Sequence, residues 1–177
     1  MNRPYIPFGA GSLQPLVRSL DLGCGEAPRN PFGANEVFGI DIRARPDANV
    51  VTADLAVEPI PSEEGVFDYV TAYDFLEHMP RLIYMPARRY PFVELMSEIW
   101  RVLKPGGVFL SVTPAYPYAS AFMDPTHVNV LTEQTFPVYF REVDPVARMY
   151  GFRGAFRVAS QSWEGYHLIA QLEKVAL

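Results

Sequence analysis

Apolar residues in this chain come in short runs, each stopped by glycine, proline or an acid. Val17–Leu22 is the first run and ends at Gly23-Cys24-Gly25; Val37–Asp41 is the second. Val50–Ala53 follows after Ile42–Asn49, a connection that contains Pro46, and Val66–Ala72 and Val108–Thr113 are the fourth and fifth runs. Runs of this length, rich in Val, Ile, Phe and Tyr and bounded by turn residues, predict buried strands. Between the last two, apolar residues recur at helical spacing from Phe92 to Leu103, with Glu94, Ser97, Glu98 and Arg101 on the opposite side. That pattern predicts one well-formed amphipathic helix, ended by Lys104-Pro105-Gly106-Gly107. Phe156–Trp163 and His167–Lys174 flank Glu164-Gly165 and predict a hairpin. Shorter helical pieces are expected at Ala27–Asn30, Tyr73–Met79 and from an N-cap at Thr132, and a further segment, Asp144–Tyr150, ends at Gly151.

The order β-α-β-β-β-α-β-α-β-β predicts an open α/β sheet, mostly parallel, with an antiparallel terminal hairpin. Parallel neighbours are normally joined by a crossover of a dozen residues or more, usually a helix. The connections after the first two strands carry Pro28, Pro31 and Pro46 and are too broken for that. The helices of one face are therefore expected to be shortened. A second copy of the chain, a partner subunit, or the proline-rich lead-in over residues 1–16 is expected to cover that thin face, and residues 17–177 to form a single domain.

Composition narrows the chemistry. The net charge of −5 argues against a broad phosphate-binding surface, so nucleic acid is not the expected substrate. The single cysteine excludes an internal disulfide and fits a reducing cytoplasm. No apolar run reaches membrane-spanning length, and no Cys/His/acid cluster has metal-ligand spacing along the chain, so no metal is expected.

Ligands of open α/β sheets bind beyond the carboxyl ends of the strands. Four such ends carry chemistry: Gly23/Gly25, Asp41, Asp54-Leu55 and Tyr73-Asp74. Glycines allow a ligand close to the backbone, and an acid at the tip of the second strand can accept hydrogen bonds from a ribose. A dinucleotide site would want Gly-x-Gly-x-x-Gly opening a long helix onto a pyrophosphate; Pro28 stands where that third glycine belongs. A nucleoside cofactor without phosphates fits better.

Asp21-Leu22-Gly23-Cys24-Gly25 resembles the first motif of class I S-adenosylmethionine-dependent methyltransferases. Gly39-Ile40-Asp41 resembles their ribose-binding acid, and Ala53-Asp54-Leu55 their adenine-binding acid and its neighbour. Phe67-Asp68-Tyr69-Val70 with Leu76-Glu77-His78 resembles the fourth-strand motif, and Ile99–Gly107 the helix and turn before strand five. The resemblance implies a Rossmann-like seven-stranded sheet of order 3-2-1-4-5-7-6. It also implies S-adenosylmethionine as cofactor, with Asp21, Gly23, Cys24, Gly25, Asp41, Ile42, Asp54, Leu55 and Tyr73 around it, and methyl transfer to a small-molecule acceptor such as a sugar or natural-product hydroxyl or amine. Ala27 replaces the third small residue of the first motif.

The acceptor is expected beside the loop after strand five, where Asp124-Pro125-Thr126-His127 sets a carboxylate three residues from an imidazole. His127 is the candidate acid/base residue because a histidine titrates near neutral pH; a loop-tying role is the competing reading. His78 reads as structural, and His167, alternating along a terminal strand, as an ordinary surface or edge residue. Tyr73, Tyr116 and Tyr118 are candidates for pocket walls, and Arg81, Arg88 and Arg89 for an anion contact. Two rival functions remain at this level: a catalytically inactive S-adenosylmethionine-binding subunit, and an NAD-dependent oxidoreductase.

Overall fold

The computed structural model describes residues 5–6, 16–43 and 49–177. Seven strands form one sheet: β1 Arg18–Leu22, β2 Glu36–Asp41, β3 Val50–Thr52, β4 Phe67–Tyr73, β5 Leu103–Pro114, β6 Phe156–Glu164 and β7 His167–Lys174. Their order is β3-β2-β1-β4-β5-β7-β6. The β1–β2, β1–β4, β2–β3 and β4–β5 pairs are parallel, and β5–β7 and β6–β7 are antiparallel. The sheet is the one expected, with strand ends shifted by a residue or two. The larger difference is at β5, which starts at Leu103 rather than Val108. The Lys104–Gly107 segment joins the strand through an irregular register, Phe67 opposite Leu103 and then Tyr69 opposite Val108.

The long helix α1 spans Pro91–Val102 and begins with proline at its first position, where a missing N–H costs nothing. It buries Phe92, Leu95, Met96, Ile99 and Val102 in one cluster with Leu20, Leu22, Phe38, Ile40, Val70, Phe109, Leu168 and Leu172. The strands alternate as a two-faced sheet should, and these residues supply the face toward α1.

The smaller helices differ more. No helix forms at Ala27–Asn30: the segment is a turn held by Asn30, whose Oδ1 accepts from Ala34 N at 2.8 Å while its Nδ2 donates to Ala34 O at 3.0 Å. After β4 only a 3-10 turn, Leu76–His78, is present. Ser120–Met123 forms a short α2 that the pattern did not predict. Helix α3, Thr135–Tyr139, starts three residues after Thr132, whose hydroxyl accepts from Gln134 N at 3.2 Å rather than capping the helix itself. The Asp144–Tyr150 piece is a 3-10 turn, Val146–Tyr150, ended by Gly151 in the left-handed region.

Most of the expected lead-in, and residues 44–48 of the β2–β3 connection, lie outside the described residues; Ile6 is buried and its N–H bonds Pro61 O at 3.1 Å. No described helix is long and apolar enough to cross a membrane.

Candidate functional site

The turn after β1 folds back on the end of β2. Gly23 N and Cys24 N both donate to Ile40 O, at 2.8 and 3.1 Å, and Gly25 N donates to Asp41 Oδ2 at 2.9 Å. Gly23 has φ +65°, and a Cβ there would lie 2.5 Å from Phe75 Cδ2, so no other residue fits without displacing that ring. Gly39 matters for the opposite reason: a Cβ on it would meet Cys24 Sγ at 2.6 Å. Cys24 is buried and fills the space that Gly39 leaves.

Between this turn and the ends of β2, β3 and β4 lies a cleft of about 440 Å³. Gly23, Asp41, Ile42, Asp54 and Leu55 line it, as do Arg43, Asp74, Phe75, His78 and Met79. Asp21, Cys24, Gly25, Tyr73 and His127 are not in its wall. Asp21 is fully buried, and its carboxylate accepts from Thr71 Oγ1 at 2.6 Å and Arg29 N at 2.8 Å. Its work is to pin the β1–β2 loop to the sheet, and burial raises its pKa above the usual aspartate value against the pull of those bonds. Tyr73 lies under the Arg29 guanidinium, 4.5 Å from the ring centre, and burial together with the Asp21 charge raises its pKa.

Asp41 is 6% exposed. Besides the bond from Gly25, it accepts from Arg43 N at 2.9 Å and Arg43 Nε at 3.0 Å. Burial alone would raise its pKa, but the Arg43 and Gly25 bonds outweigh that and the net direction is down. Asp41 is therefore a carboxylate at neutral pH. Arg43, which the sequence pattern does not single out, occupies part of its accepting capacity through a side chain that is 62% exposed.

At the other end of the cleft the loop after β5 is stapled to the turn after β4. Val128 N and Asn129 N both donate to Glu77 O at 2.9 Å, and Asn129 Nδ2 donates to Leu76 O at 2.9 Å. Asp124 Oδ1 accepts from Thr126 N at 2.7 Å and from Thr126 Oγ1 at 2.6 Å, which lowers the aspartate pKa. These bonds carry His127 to His78, their rings edge-to-face with centres 4.9 Å apart. Thr126 Oγ1 lies 3.0 Å from His78 Nδ1.

Glu77, with a carboxylate oxygen within 4.8 Å of a nitrogen of each ring, is 1% exposed; Thr113 Oγ1 donates to its Oε2 at 2.7 Å, and burial pushes its pKa up. In the sequence pattern Glu77 and His78 fall in a short helix after strand four and carry no chemistry, since their link to His127 crosses from one loop to another. Tyr116 and Tyr118 do not line the cleft; Tyr118 rests on Trp163, 5.2 Å between ring centres. Arg89 pairs with Glu94, and Arg81 bonds Asn129 Oδ1 at 2.9 Å. His167 is not a bystander, since its Nε2 is 2.8 Å from Asp74 Oδ1.

The cleft is thus lined by the carboxylates of Asp41 and Asp54 at the ends of β2 and β3, by apolar Ile42, Leu55 and Phe75, and by the His78 imidazole beyond β4. Acids that accept from sugar hydroxyls or a base amine at one end, with apolar walls between, suit a nucleoside bearing an apolar-flanked substituent. Comparison with known proteins agrees. A family model for a methyltransferase domain matches residues 4–144. A Mycolicibacterium smegmatis protein named as a probable S-adenosylmethionine-dependent methyltransferase is 32% identical over 111 residues, 54% of this chain. The matched stretch is 37% of that protein, so the chain spans little more than a third of its relative's length.

Among solved structures, the complex between the Trm112 methyltransferase activator and a proposed methyltransferase from Haloferax volcanii has a chain that superposes with a TM-score of 0.62 at 17% identity, over 90% of this chain and 83% of that one. A SAM-dependent methyltransferase from Aquifex aeolicus superposes with a TM-score of 0.56 at 16% identity, over 90% and 82%. At these identities the structures share the fold.

Proposed function

The chain belongs to the methyltransferase-domain family, and from that premise we propose that it moves a methyl group from S-adenosylmethionine to a hydroxyl or amine of a small-molecule acceptor. The observation that carries the reading is the cleft at the strand ends, with Gly23, Asp41 and Asp54 in one wall and His78 in the other. S-adenosylmethionine is the family's cofactor, and it supplies a methyl group on a positively charged sulfur that is already activated. The chain has to bind it, exclude water and align the acceptor. Asp41 would hold the ribose hydroxyls once Arg43 swings aside, Ile42 and Leu55 would sandwich the adenine, and Asp54 would accept from its amine. Asp21, Cys24, Gly25 and Tyr73 would contribute by holding the turn and its support in shape. His127, which lies behind His78 rather than in the cleft wall, would act on the acceptor's proton beside that imidazole.

S-adenosylmethionine and S-adenosylhomocysteine are each expected to raise the melting temperature, and NAD to leave it unchanged. Stabilisation by NAD alone would overturn the reading in favour of an oxidoreductase. With an acceptor found by radiolabelled methyl transfer into metabolite pools, His127→Ala is expected to lower turnover by about 10²–10⁴-fold while the cofactor-induced shift persists. Full turnover would leave His127 a loop anchor; cofactor binding without transfer to any acceptor would point to an inactive subunit.

We also propose that another protein surface covers the half-exposed face of the sheet, a second copy or a partner subunit. The activator complex of the Haloferax neighbour lends this support. If so, trimming that face costs more stability than its own burial accounts for.

A further inference from the structure

Glu77, His78 and His127 each bring a ligand-capable atom within 4.8 Å of the other two. We propose that these three side chains form a binding site for one divalent first-row transition ion, and that this ion holds the oxygen of the methyl acceptor. The inference rests on the methyl-transfer reading for its purpose, although the site itself stands on geometry alone.

Two unsatisfied atoms point to a missing partner. Glu77 Oε1 and His127 Nδ1 are buried and have no hydrogen-bond partner among the described residues. A buried carboxyl oxygen without a partner is costly; a proton or a metal ion removes the cost, and the two imidazoles within 4.8 Å make a metal ion the partner that fits. Thr113 already occupies the other oxygen, Oε2, so the free one is held in a fixed orientation.

The surroundings of His78 match what a ligating histidine needs. Thr126 Oγ1 donates its proton to Asp124 Oδ1 at 2.6 Å, so toward His78 Nδ1, 3.0 Å away, it can only accept. That fixes the proton on Nδ1 and leaves Nε2 with its lone pair exposed. A carboxylate-backed partner that sets the tautomer of a metal-binding imidazole is the usual outer-shell arrangement.

Two imidazoles and one carboxylate suit manganese, iron, cobalt or zinc better than magnesium or calcium, which prefer oxygen alone. Three protein ligands leave positions open for an acceptor. His78 also lines the cofactor cleft, so one ligand of the site borders the space for the methyl donor.

The chemical consequence favours a hydroxyl acceptor. An ion bound to the hydroxyl oxygen lowers its pKa and orients it. The oxygen lone pair then forms the new C–O bond, the S–C electron pair returns to sulfur, and the hydroxyl proton leaves to water. His127 would serve this step as a ligand, which is a more specific account of its role than a free base. The ligand spacing along the chain gave no hint of metal, because His127 joins the other two only through the stapled loop.

The test is metal binding by the full chain, freed of metal with a chelator and titrated with Co²⁺ followed by its visible absorption, and with Zn²⁺ by calorimetry. One ion per chain is expected. His127→Ala and His78→Ala should abolish stoichiometric binding, and Thr126→Val should weaken it by about 10–100-fold through the outer shell. Both histidines are only partly buried, so these variants report even if Glu77→Gln fails to fold. No one-to-one binding, or binding that survives His127→Ala unchanged, would overturn the site. Stabilisation by S-adenosylmethionine without metal binding would remove this inference alone; metal binding lost in the variants, without any response to S-adenosyl compounds, would keep the site and remove the methyl-transfer reading.

Discussion

On one face of the sheet Leu20, Leu22, Val70, Phe109 and Leu172 are fully buried beside α1; on the other, their strand neighbours Tyr69, Tyr73, Val108, Val112 and Ile169 remain half-buried. The same strands feed both faces, so the difference lies in what covers them. The first face is closed by a broad apolar helix stripe, where stabilisation scales with area and does not depend on any one contact. The second is closed, among the described residues, by a loop that touches it at separate points. Phe32 stacks on Tyr69 with ring centres 4.0 Å apart, Arg29 lies over Tyr73, and Asp21 accepts from Thr71 and Arg29. That loop continues from the Gly23–Gly25 turn, so one side of the candidate cofactor cleft hangs from the less secured face. The fold is held by one face and the site is shaped by the other.

The largest effect that separates the faces should come from the covered one. Met96 is fully buried on α1, and Met96→Ala is expected to cost about 2–5 kcal/mol, read as a lower urea midpoint at unchanged slope. A cost below about 1 kcal/mol would mean that this core collapses around the gap and that the contrast is overstated.

On the other face the directional contacts should dominate. Asp21→Ala removes the acceptor of two bonds and is expected to cost about 1–3 kcal/mol. Asp21→Asn separates the charge from the bonds, since an amide can accept from Arg29 N and donate to Thr71. Burial raises the Asp21 pKa in the folded state, so between the ordinary aspartate range and that raised value the folded chain binds more protons than the unfolded one. Wild-type stability therefore falls as pH rises through that window, and the Asn variant should lack this slope. Parallel stability–pH profiles of the two proteins would show that the Asp21 charge is solvated and that the loop is held otherwise.

The covered face was legible in the sequence; of the other face the prolines showed that it is thin, but not how its loop meets the sheet. Period-3.6 and period-2 patterns mark residues that meet a continuous apolar surface, and this is why α1 and, apart from the start of β5, the strands were found within a residue or two. The segment from Glu26 to Asn35 has no period because it meets the sheet at single points, so a helix was expected at Ala27–Asn30 where a turn stands. The site divides the same way. Asp41 and Asp54 were visible because topology puts strand ends together. Asp21 read as a ligand residue because its motif is one, whereas its bonds run to Thr71 and Arg29. Arg43 and the Glu77–His78–His127 cluster depend on loop-to-loop contacts that carry no pattern along the chain.

The smallest expected effect decides what covers the thin face. Val108 sits half-buried on β5 between Tyr69 and Glu173 in the register. For a valine in that setting, Val108→Ala should cost about 1 kcal/mol or less, since only part of the lost methyl area is out of water. If a second copy packs on this face, the cost should instead approach that of a core valine at high protein concentration and shrink on dilution, because association adds stability by mass action. Urea unfolding at two concentrations, with light scattering to read the mass, separates these outcomes. A small cost that does not change with concentration, from a chain that scatters as a single copy, would exclude the homodimer. It would leave the face to a different partner chain, whose docking would restore the high cost when added. The fold's covered face should be indifferent throughout, and that indifference makes the pair Met96 and Val108 a measure of what lies on the thin face.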